Sequence, residues 1–329
     1  MISIETNSYS AFTNLAFEEF FLKSTDLGDD ILMLYQNQPA VIVGRFQNTL
    51  EEINQSFIND HNILVARRIS GGGAVYHDPG NLCFSFILRD ISPGTMDASK
   101  YIRPVAEALI RLGIPLEVKG RNDLTIDGKK FSGNAMALHK NRLLFHGTLL
   151  FDSDLELLAQ VLKPATAAIE SKAIKSVRSK VTNIKSYLSK DKDVLDFKQA
   201  LKGLLFENNA QSEYQPTNAD RAEIQKLEDS KYHSWDWIYG RNPATRIASS
   251  CNFAAGKLDI SLELDKGWLA ACHIQSDALD PALIAALELG LANIPYTCQD
   301  ITAALDGIEL KPLAGYPSKK ELLDCILNI

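Results

Sequence analysis

The chain has 329 residues, 46% of them hydrophobic, and its 41 acidic and 34 basic residues leave a formal net charge of −7. This length and composition predict a globular protein of two domains, and the negative charge argues against a general nucleic-acid-binding protein, because phosphate backbones favour a basic surface. The N-terminus has no basic leader and no stretch approaches the ~20 apolar residues of a membrane span, so we expect a soluble, cytoplasmic protein without membrane partners.

Strand and helix patterns alternate over the first half of the chain. Residues 13–24 and 98–113 have helical periodicity. Four apolar runs have the composition of strands: ILMLY at 31–35, AVIVG at 40–44, LCFSFIL at 82–88 and LLFHGTLLF at 143–151. These patterns predict a strand-rich core with helices.

The second half of the chain has a different character. Residues 161–235 are charged and helical in texture, and the lysine-rich run 171–193 predicts a mobile or surface segment. A turn at GRNP, residues 240–243, indicates a domain boundary. Residues 257–274 then alternate as two strands around a Lys-Gly turn, which predicts a small α+β module. Its amphipathic helices are predicted near 281–291 and 318–328.

Cysteines are spread thinly along the chain. No CxxC pair occurs among the five of them, which are Cys83, Cys251, Cys272, Cys298 and Cys325. An odd number of widely spaced cysteines suggests neither a disulfide framework nor a zinc site. We therefore predict reduced thiols.

A glycine-rich stretch, RRISGGGAVYHDPGN at residues 67–81, joins two apolar runs. Glycine tolerates positive φ and leaves room for a ligand, so backbone N–H groups of Gly71–Gly73 could turn toward an anion. The spacing matches neither a P-loop nor a dinucleotide-binding turn. A tight structural corner is the simpler interpretation. Arg67 and Arg68 favour an anion site, because guanidinium groups bind phosphate and carboxylate, although an arginine pair is often only a solvated surface.

A second stretch, GRNDLTIDGKKFSGNA at residues 120–135, predicts a hairpin around Asp127-Gly128. Counting outward from the turn pairs Thr125 with Lys130, Leu124 with Phe131 and Asp123 with Ser132. The polar face that results consists of Asp123, Thr125, Lys130 and Ser132. It is either a half-exposed hairpin surface or a site in which Asp123 and Lys130 hold a metal-bound phosphate between them.

Seven motifs occur in this order along the chain: NLAFEE (14–19), VIVGRFQN (41–48), RRISGGGAVYHDPGN (67–81), GRNDL (120–124), KFSGNA (130–135), HGTLL (146–150) and SVRSKVTN (176–183). In these motifs the sequence resembles the lipoate-protein ligases of the long bacterial type, over nearly its whole length. Residues 1–245 are similar to the catalytic lipoate- and ATP-binding domain of that family, and residues 246–329 are similar to its C-terminal accessory domain.

This resemblance implies an α+β fold of mixed, largely antiparallel sheets flanked by helices, related to biotin protein ligases and to the core of class II aminoacyl-tRNA synthetases. It also implies the reaction. Lipoate and ATP, with Mg²⁺, would form lipoyl-AMP and pyrophosphate, and the lipoyl group would pass to a lysine of a carrier domain, either of a 2-oxoacid dehydrogenase acyltransferase or of the glycine cleavage H protein. Because carboxylate and phosphate are both anionic, the reaction needs basic groups around the new bond.

Residue roles follow from the same resemblance. Lys130 would contact the lipoyl carbonyl oxygen and the α-phosphate as an electrophilic clamp, Asp123 would hold Mg²⁺, and the SVRSKVTN loop would cover the adenylate and exclude water. The positions implied for ATP or adenylate are Arg68, Gly73, Ala74, Val75, Tyr76, Asp123, Lys130 and Arg178. The positions implied for lipoate are Tyr35, Gly72, His77 and Lys130, and Tyr35 stands where some relatives have tryptophan.

Two other functions stay open. An ATP-independent lipoyl or octanoyl amidotransferase would need a nucleophilic cysteine, yet Cys83 lies in an apolar strand pattern and the other cysteines follow residue 250. A non-catalytic lipoate-binding protein would have no use for a clamp that binds metal and phosphate. His77 and His146 have no Ser/His/Asp or Cys/His spacing, so we predict hydrogen-bonded structural histidines at both positions.

Overall fold

The computed structural model describes residues 1–23, 27–92, 94, 97–120, 122–162, 168–177, 179–188, 192–207, 212–277, 279–310 and 315–327. Its strands, in chain order, are β1 (Ile2–Ser3), β2 (Ile31–Tyr35), β3 (Ala40–Val43), β4 (Leu64–Arg67), β5 (Val75–His77), β6 (Asn81–Leu88), β7 (Glu117–Lys119), β8 (Asp123–Ile126), β9 (Lys129–Ser132), β10 (Asn134–His139), β11 (Arg142–Leu150), β12 (Ala168–Glu170), β13 (Ser212–Glu213), β14 (Thr245–Phe253), β15 (Gly256–Asp265) and β16 (Trp268–Ser276).

The helices, in chain order, are α1 (Ala11–Lys23), α2 (Thr49–Glu52), α3 (Gln55–Asp60), α4 (Ala98–Arg111), α5 (Leu155–Val161), α6 (Val194–Phe206), α7 (Asn218–Leu227), α8 (Trp235–Ile238), α9 (Pro281–Leu291), α10 (Cys298–Asp306) and α11 (Lys319–Leu327). A 3₁₀ turn covers Lys185–Tyr187 and a π-helical turn covers Glu228–Tyr232. No described helix is long and apolar enough to cross a membrane.

The chain divides into two compact units, each assembled from three segments. Unit 1 contains Met1–Arg45, Leu64–Ala159 and Ser176–Ser234. Unit 2 contains Phe46–Ile63, Gln160–Lys175 and Trp235–Ile329. Two internal segments therefore belong to the same unit as the C-terminal part of the chain.

The main sheet of unit 1 has the strand order β10-β11-β6-β2-β1-β13 in the described residues. Strand β1 runs parallel to β2 and β13, and the other pairs are antiparallel. Alternate residues of β2, β6 and β11, such as Phe84 and Phe145, pack with α4 and α6 in one apolar core. Because successive strand side chains point to opposite faces, the intervening residues, which include Tyr35, Cys83 and His146, share the other face.

The β8–β9 hairpin turns at Asp127-Gly128, as predicted. Both turn residues have positive φ, 50° and 72°, which is the conformation of a tight two-residue hairpin turn. The predicted pair of Thr125 with Lys130 is present, but a bulge follows and Leu124 lies opposite Ser132. The predicted pairs of Leu124 with Phe131 and of Asp123 with Ser132 are therefore wrong. The bulge adds one residue to β9, which lets Phe131 stay fully buried.

A small sheet of β4, β3 and β5 carries the glycine-rich stretch. Strand β3 pairs parallel with β4 and antiparallel with β5. Residues 68–74 connect β4 to β5, so the glycines join two extended segments, as the sequence predicts. We call residues 70–74 the glycine loop.

Unit 2 is built around a sheet with the order β12-β14-β15-β16, and α9, α10 and α11 contribute to its apolar core. The predicted turn at Lys266-Gly267 joins β15 to β16 with φ of 51° and 79°. Cys251 on β14 and Cys325 on α11 form a disulfide. The prediction of reduced thiols is therefore wrong for this pair, which meets because α11 packs against β14.

The helical texture predicted for residues 161–235 is confirmed only in part. Residues 194–206 and 218–232 are helical, whereas 168–170 form strand β12 and the described residues of 171–184 are not helical. Long-range hydrogen bonds replace helical ones in this region. The N–H of Thr182, for example, donates to the carbonyl of Lys130 at 3.0 Å. The charged composition of this region was interpreted as helical. Its helix propensity is overridden in the described residues of 171–184 by long-range partners that the sequence pattern does not show.

The predicted fold class is confirmed. Antiparallel pairs dominate the described sheets, with parallel pairs at β1 and between β3 and β4. Helices pack against the sheets of both units. The chain is therefore an α+β protein with mixed, largely antiparallel sheets.

Candidate active site

Arg68 holds the glycine loop from within. Its Nε donates to Ser70 Oγ at 3.0 Å, and its Nη2 donates to the carbonyls of Gly71 at 2.7 Å and Gly73 at 2.8 Å. Burial lowers the pKa of Arg68 to about 10 against the opposing effect of Glu18, which leaves the guanidinium charged at neutral pH. With its carbonyls bonded to this buried cation, the loop keeps one backbone conformation.

Two other features bring β3 close to the glycine loop. Arg67 is fully buried and donates from Nη1 to the carbonyl of Gly44 at 2.9 Å. A Cβ at Gly44 would lie 2.1 Å from the carbonyl oxygen of Gly72, so only glycine fits there. Gly72 itself has φ of 94°, a value that side-chain-bearing residues rarely adopt. The arginine pair of the sequence is thus turned inward, and Arg67 stabilises the corner.

Ser176 lies directly over the glycine loop. Its Oγ accepts a hydrogen bond from the N–H of Ala74 at 2.9 Å. A Cβ at Gly73 would come within 2.8 Å of the same Oγ. The close neighbour that requires glycine at position 73 is therefore a hydroxyl of the SVRSKVTN motif.

The same motif also reaches the β8–β9 hairpin. The N–H of Lys130 donates to the carbonyl of Lys180 at 2.8 Å, and Val181 forms a parallel bridge with Lys130. We call residues 176–177 and 179–182 the strap, since they connect the glycine loop to β9. Arg178, one of the predicted adenylate-binding residues, lies outside the described residues.

Lys130 and Asp123 are brought together by the hairpin. Lys130 Nζ lies 2.8 Å from Asp123 Oδ1, and the side chains are 28% and 40% exposed. The predicted proximity is confirmed, although the bulge changes the register that produces it. A Cβ at Gly133 would lie 3.8 Å from Lys130 Cε and 3.9 Å from Val75 Cγ1. The lysine stem and the first residue of β5, which directly follows the glycine loop, therefore approach the same glycine.

Metal ligands are sparse around this pair. In the described part of the chain, no group of three or more His, Cys, Asp or Glu side chains could hold a metal ion by itself. Asp123 nevertheless has a second carboxylate oxygen and a partly exposed side chain. Mg²⁺ is commonly held by one or two carboxylates together with substrate phosphates, so this donor fits a metal that arrives with a nucleotide.

Tyr35 and His77, predicted to contact lipoate, are both buried next to the main sheet. The Tyr35 hydroxyl donates to Glu18 Oε1 at 2.8 Å, and burial together with Glu18 raises the pKa of this phenol well above its usual value. His77 Nδ1 lies 2.7 Å from Asn37 Nδ2, and burial lowers the pKa of His77 to about 3. Both groups are neutral at physiological pH.

His146 is also hydrogen-bonded inside the protein. Its Nδ1 lies 2.8 Å from Glu18 Oε2 and its Nε2 lies 2.6 Å from Ser70 Oγ. The prediction that His77 and His146 are hydrogen-bonded histidines is confirmed by these contacts.

Cys83 offers no reactive thiolate. It is 2% exposed on the same sheet face as Tyr35, and burial raises the pKa of its thiol well above the usual value. Reactive cysteines are partly exposed and have lowered pKa values. The predicted core position is confirmed, and the geometry argues against a cysteine-based amidotransferase.

Sequence reasoning missed Glu18 and the contact between Ser176 and Ala74. A signal for Glu18 is present, because two adjacent glutamates interrupt the apolar helix sequence LAFEEFF, and Glu18 is fully buried. Carboxylates in such a helix are buried only with partners. No local signal marks Ser176 as a partner of a residue about one hundred positions away.

Comparison with known proteins gives family matches to both parts of the chain. The lipoyl protein ligase A/B catalytic domain family matches residues 10–205, and the bacterial lipoate protein ligase C-terminus family matches residues 242–326. The lipoate-protein ligase LplJ of Bacillus subtilis is 40% identical over 316 residues, which cover 95% of this chain and 96% of that protein.

Solved structures give the same result. LipL1 of P. falciparum in complex with lipoate matches with a TM-score of 0.61 and 27% identity, over 98% of this chain and 97% of that chain. A lipoate-protein ligase A bound with ATP matches with a TM-score of 0.58 and 27% identity, over 72% of this chain and 96% of that chain. The chain therefore belongs to the lipoate-protein ligases, a family of ligase enzymes.

Proposed function

We propose that this enzyme activates free lipoate with ATP and then transfers the lipoyl group to a lysine of a carrier domain. The observation that carries the proposal is the approach of Lys130 and Val75 to Gly133, which puts the lysine side chain near the start of β5, directly after the glycine loop. Relatives that carry the name lipoate-protein ligase, and a similar structure bound with ATP, support it.

In the first step, a lipoate carboxylate oxygen attacks the α-phosphorus of ATP, an O–P bond forms and pyrophosphate leaves. Both reactants are anions, so the site must neutralise charge and align them. We assign this task to Lys130, whose ammonium would lie between the lipoyl carbonyl oxygen and the α-phosphate. The backbone of Gly73, Ala74, Val75 and Tyr76 would bind the nucleotide, with Arg68 fixing the glycine loop from which it leads.

Asp123 would hold Mg²⁺ through the carboxylate oxygen that does not face Lys130. When bound, Mg²⁺ would offset phosphate charge and orient the leaving pyrophosphate. The single carboxylate of Asp123 suits Mg²⁺, which usually takes most of its ligands from water and substrate phosphates. Lys130 would then exchange its contact with Asp123 for contacts with the reacting oxygens.

The strap would shield the intermediate from water. Its two ends already bond to Ala74 on the glycine loop and to Lys130 on the hairpin. An acyl-adenylate hydrolyses when water reaches it, so a segment that spans both elements protects the reaction. We propose that Arg178, within the same motif, contributes a cation to the adenylate.

The lipoyl tail would extend toward Tyr35, His77 and Gly72. In the second step, the amine of a carrier lysine attacks the acyl carbon, a C–N bond forms, the C–O bond to phosphate breaks and AMP leaves. The lysine proton would pass to solvent or to the leaving phosphate. We propose as acceptors the lipoyl domains of 2-oxoacid dehydrogenase acyltransferases and the glycine cleavage H protein.

We further propose that residues 1–245 carry both steps and that residues 246–329 form an accessory domain. The family matches at 10–205 and 242–326 support this division. The discontinuous unit 2 also contains segments 46–63 and 160–175 of the proposed catalytic part.

Two assays test the proposed function. Lipoate-dependent exchange of labelled pyrophosphate into ATP should occur with the purified chain, because adenylation is reversible before transfer. Incubation with ATP, lipoate and a candidate carrier domain should add one lipoyl mass to that domain. Transfer without ATP would instead favour an amidotransferase, and lipoate binding without exchange would favour a non-catalytic binding protein.

A further inference from the structure

A continuous line of buried hydrogen bonds connects helix α1 to the glycine loop. The Tyr35 hydroxyl and His146 Nδ1 both contact the Glu18 carboxylate at 2.8 Å. His146 Nε2 lies 2.6 Å from Ser70 Oγ, and Ser70 Oγ lies 3.0 Å from Arg68 Nε. All five side chains are buried, and Glu18 is 0% exposed. We call this set the relay.

One arrangement of protons satisfies every member of the relay. Glu18 accepts from the Tyr35 hydroxyl and from a proton on His146 Nδ1. His146 Nε2 then accepts from the Ser70 hydroxyl, whose oxygen accepts from Arg68 Nε. Each donor has one acceptor, and each hydrogen bond fixes the orientation of the next group. A change at Glu18 therefore alters the hydrogen bonding of Arg68.

The relay ends on the backbone that we propose for nucleotide binding. Arg68 also bonds to the carbonyls of Gly71 and Gly73. Burial lowers the pKa of Arg68, and Glu18 is the charge that opposes this effect. An isolated buried cation is costly unless it is compensated. Glu18 therefore stabilises the guanidinium that fixes the loop.

We propose that Glu18 is a positioning residue for the ATP-binding glycine loop, acting through His146 and Ser70 on Arg68. This inference rests on the proposed function, since it assigns a cause to the affinity of that loop for ATP. Glu18 lies on helix α1, outside the loop, and in the described residues its hydrogen bonds lead to the loop through the other members of the relay.

Glu18→Gln tests the proposal without changing side-chain size. The amide supplies one acceptor where Tyr35 and His146 need two, and it removes the negative charge. His146 would then be driven to donate from Nε2, which displaces the Ser70 hydroxyl. Ser70→Ala cuts the relay at a second point and leaves the contact of Glu18 with His146 intact.

Glu19→Gln is the matched control. Glu19 is the next residue of α1, is 1% exposed, and bonds to Lys23, Lys231 and Tyr232. Its replacement also removes a buried carboxylate, so it reports the general cost of that loss. It does not interrupt the relay.

The measurement is the KM for ATP in lipoate-dependent pyrophosphate exchange by the full chain, with thermal melting of every variant. We expect Glu18→Gln and Ser70→Ala each to raise KM about tenfold, the effect of one hydrogen bond to a charged group. The double variant should match the larger single effect, because both changes break the same line. Glu19→Gln should lower the melting temperature and leave KM within about twofold of the parent.

Three results have distinct meanings. A parental KM in Glu18→Gln, or single effects that multiply to about a hundredfold in the double variant, would overturn the positioning role. If Glu18→Gln does not fold, the same comparison of single and double variants is made with His146→Gln and Ser70→Ala. Its KM values then test the positioning role by the same criteria. Absence of exchange in the parental chain would instead defeat the proposed function itself.

Discussion

The glycine loop and the β8–β9 hairpin both carry a cation, but they use it differently. Arg68 is 6% exposed and donates hydrogen bonds to Ser70, to loop carbonyls and to the carbonyl of Ile42 on β3. Lys130 is partly exposed and pairs with one carboxylate, that of Asp123. A buried cation shapes the backbone, whereas a partly exposed one can change partners when a ligand arrives. We therefore expect changes at the hairpin to alter chemistry and changes at the loop to alter geometry.

The largest effect is expected for Lys130→Ala. Loss of the ammonium removes charge stabilisation at the reacting oxygens, and one such group is worth roughly 10² to 10³ in rate. Lipoate-dependent pyrophosphate exchange should fall by about that factor while the melting temperature changes little. Lys129→Ala is the control, because Lys129 is the exposed neighbouring residue of the same strand. Exchange at the parental rate in Lys130→Ala would remove the hairpin from the chemistry.

The second prediction concerns the loss of folding stability at acid pH that is caused by His77, on the strand that follows the glycine loop. Burial, with Arg68 and His146 nearby, lowers the pKa of His77 to about 3, whereas an unfolded histidine has a pKa of ~6.5. Between these values the unfolded chain binds a proton that the folded chain does not, so stability falls as pH falls below ~6.5. At pH 5 this group should cost about 2 kcal/mol relative to pH 7.

Urea unfolding of His77→Gln at pH 5 and pH 7 measures this contribution. The difference in unfolding free energy between the two pH values should shrink in the variant, because glutamine does not titrate. Cys83→Ser controls for lost packing, since Cys83 Sγ lies 3.6 Å from the His77 ring. An unchanged difference in His77→Gln would show that the acid sensitivity arises elsewhere.

The contrast between loop and hairpin also separates what the sequence predicts from what it does not. Asp127-Gly128 is a local signal, and it placed Lys130 beside Asp123 correctly. The bulge between Leu124 and Thr125 was not predicted, because it depends on which of the flanking side chains the core accepts. Turn chemistry is written in adjacent residues, whereas the pairing beyond a bulge is decided by packing.

Long-range contacts are the main feature of the structure that the sequence did not predict. The bond between Ser176 and Ala74, the pair of Glu18 and His146, and the disulfide across 74 residues each join distant positions. Apart from Glu18, which interrupts an apolar helix sequence, each partner has an ordinary local environment in the sequence. The motifs therefore predicted which segments form the candidate site, but not which side chains hold those segments together.

The third prediction tests the close approach of the strap to the glycine loop. In Gly73→Ala the new methyl group would lie 2.8 Å from Ser176 Oγ and 3.2 Å from its Cβ, so the strap must move. Overpacking of this kind costs about 1–3 kcal/mol, and we expect kcat/KM for exchange to fall about tenfold.

Two further variants sharpen this result. Adding Ser176→Gly removes both clashing atoms and should restore much of the activity of Gly73→Ala. Gly203→Ala is the control, because a Cβ there meets nothing within 4 Å. If the double variant is no better than Gly73→Ala, the loop itself, and not the strap, requires glycine at this position.

The smallest effect is expected for Ser176→Ala. The Ser176 hydroxyl accepts a hydrogen bond from the N–H of Ala74, part of the backbone that we propose for the nucleotide. ATP must displace this hydroxyl, and a net hydrogen bond is worth about 0.5–1.5 kcal/mol. Its removal should therefore lower the KM for ATP about threefold and leave kcat nearly unchanged. Ser179→Ala, at an exposed position of the strap, should change neither value. A higher KM in Ser176→Ala would mean that the hydroxyl binds the nucleotide and does not compete with it.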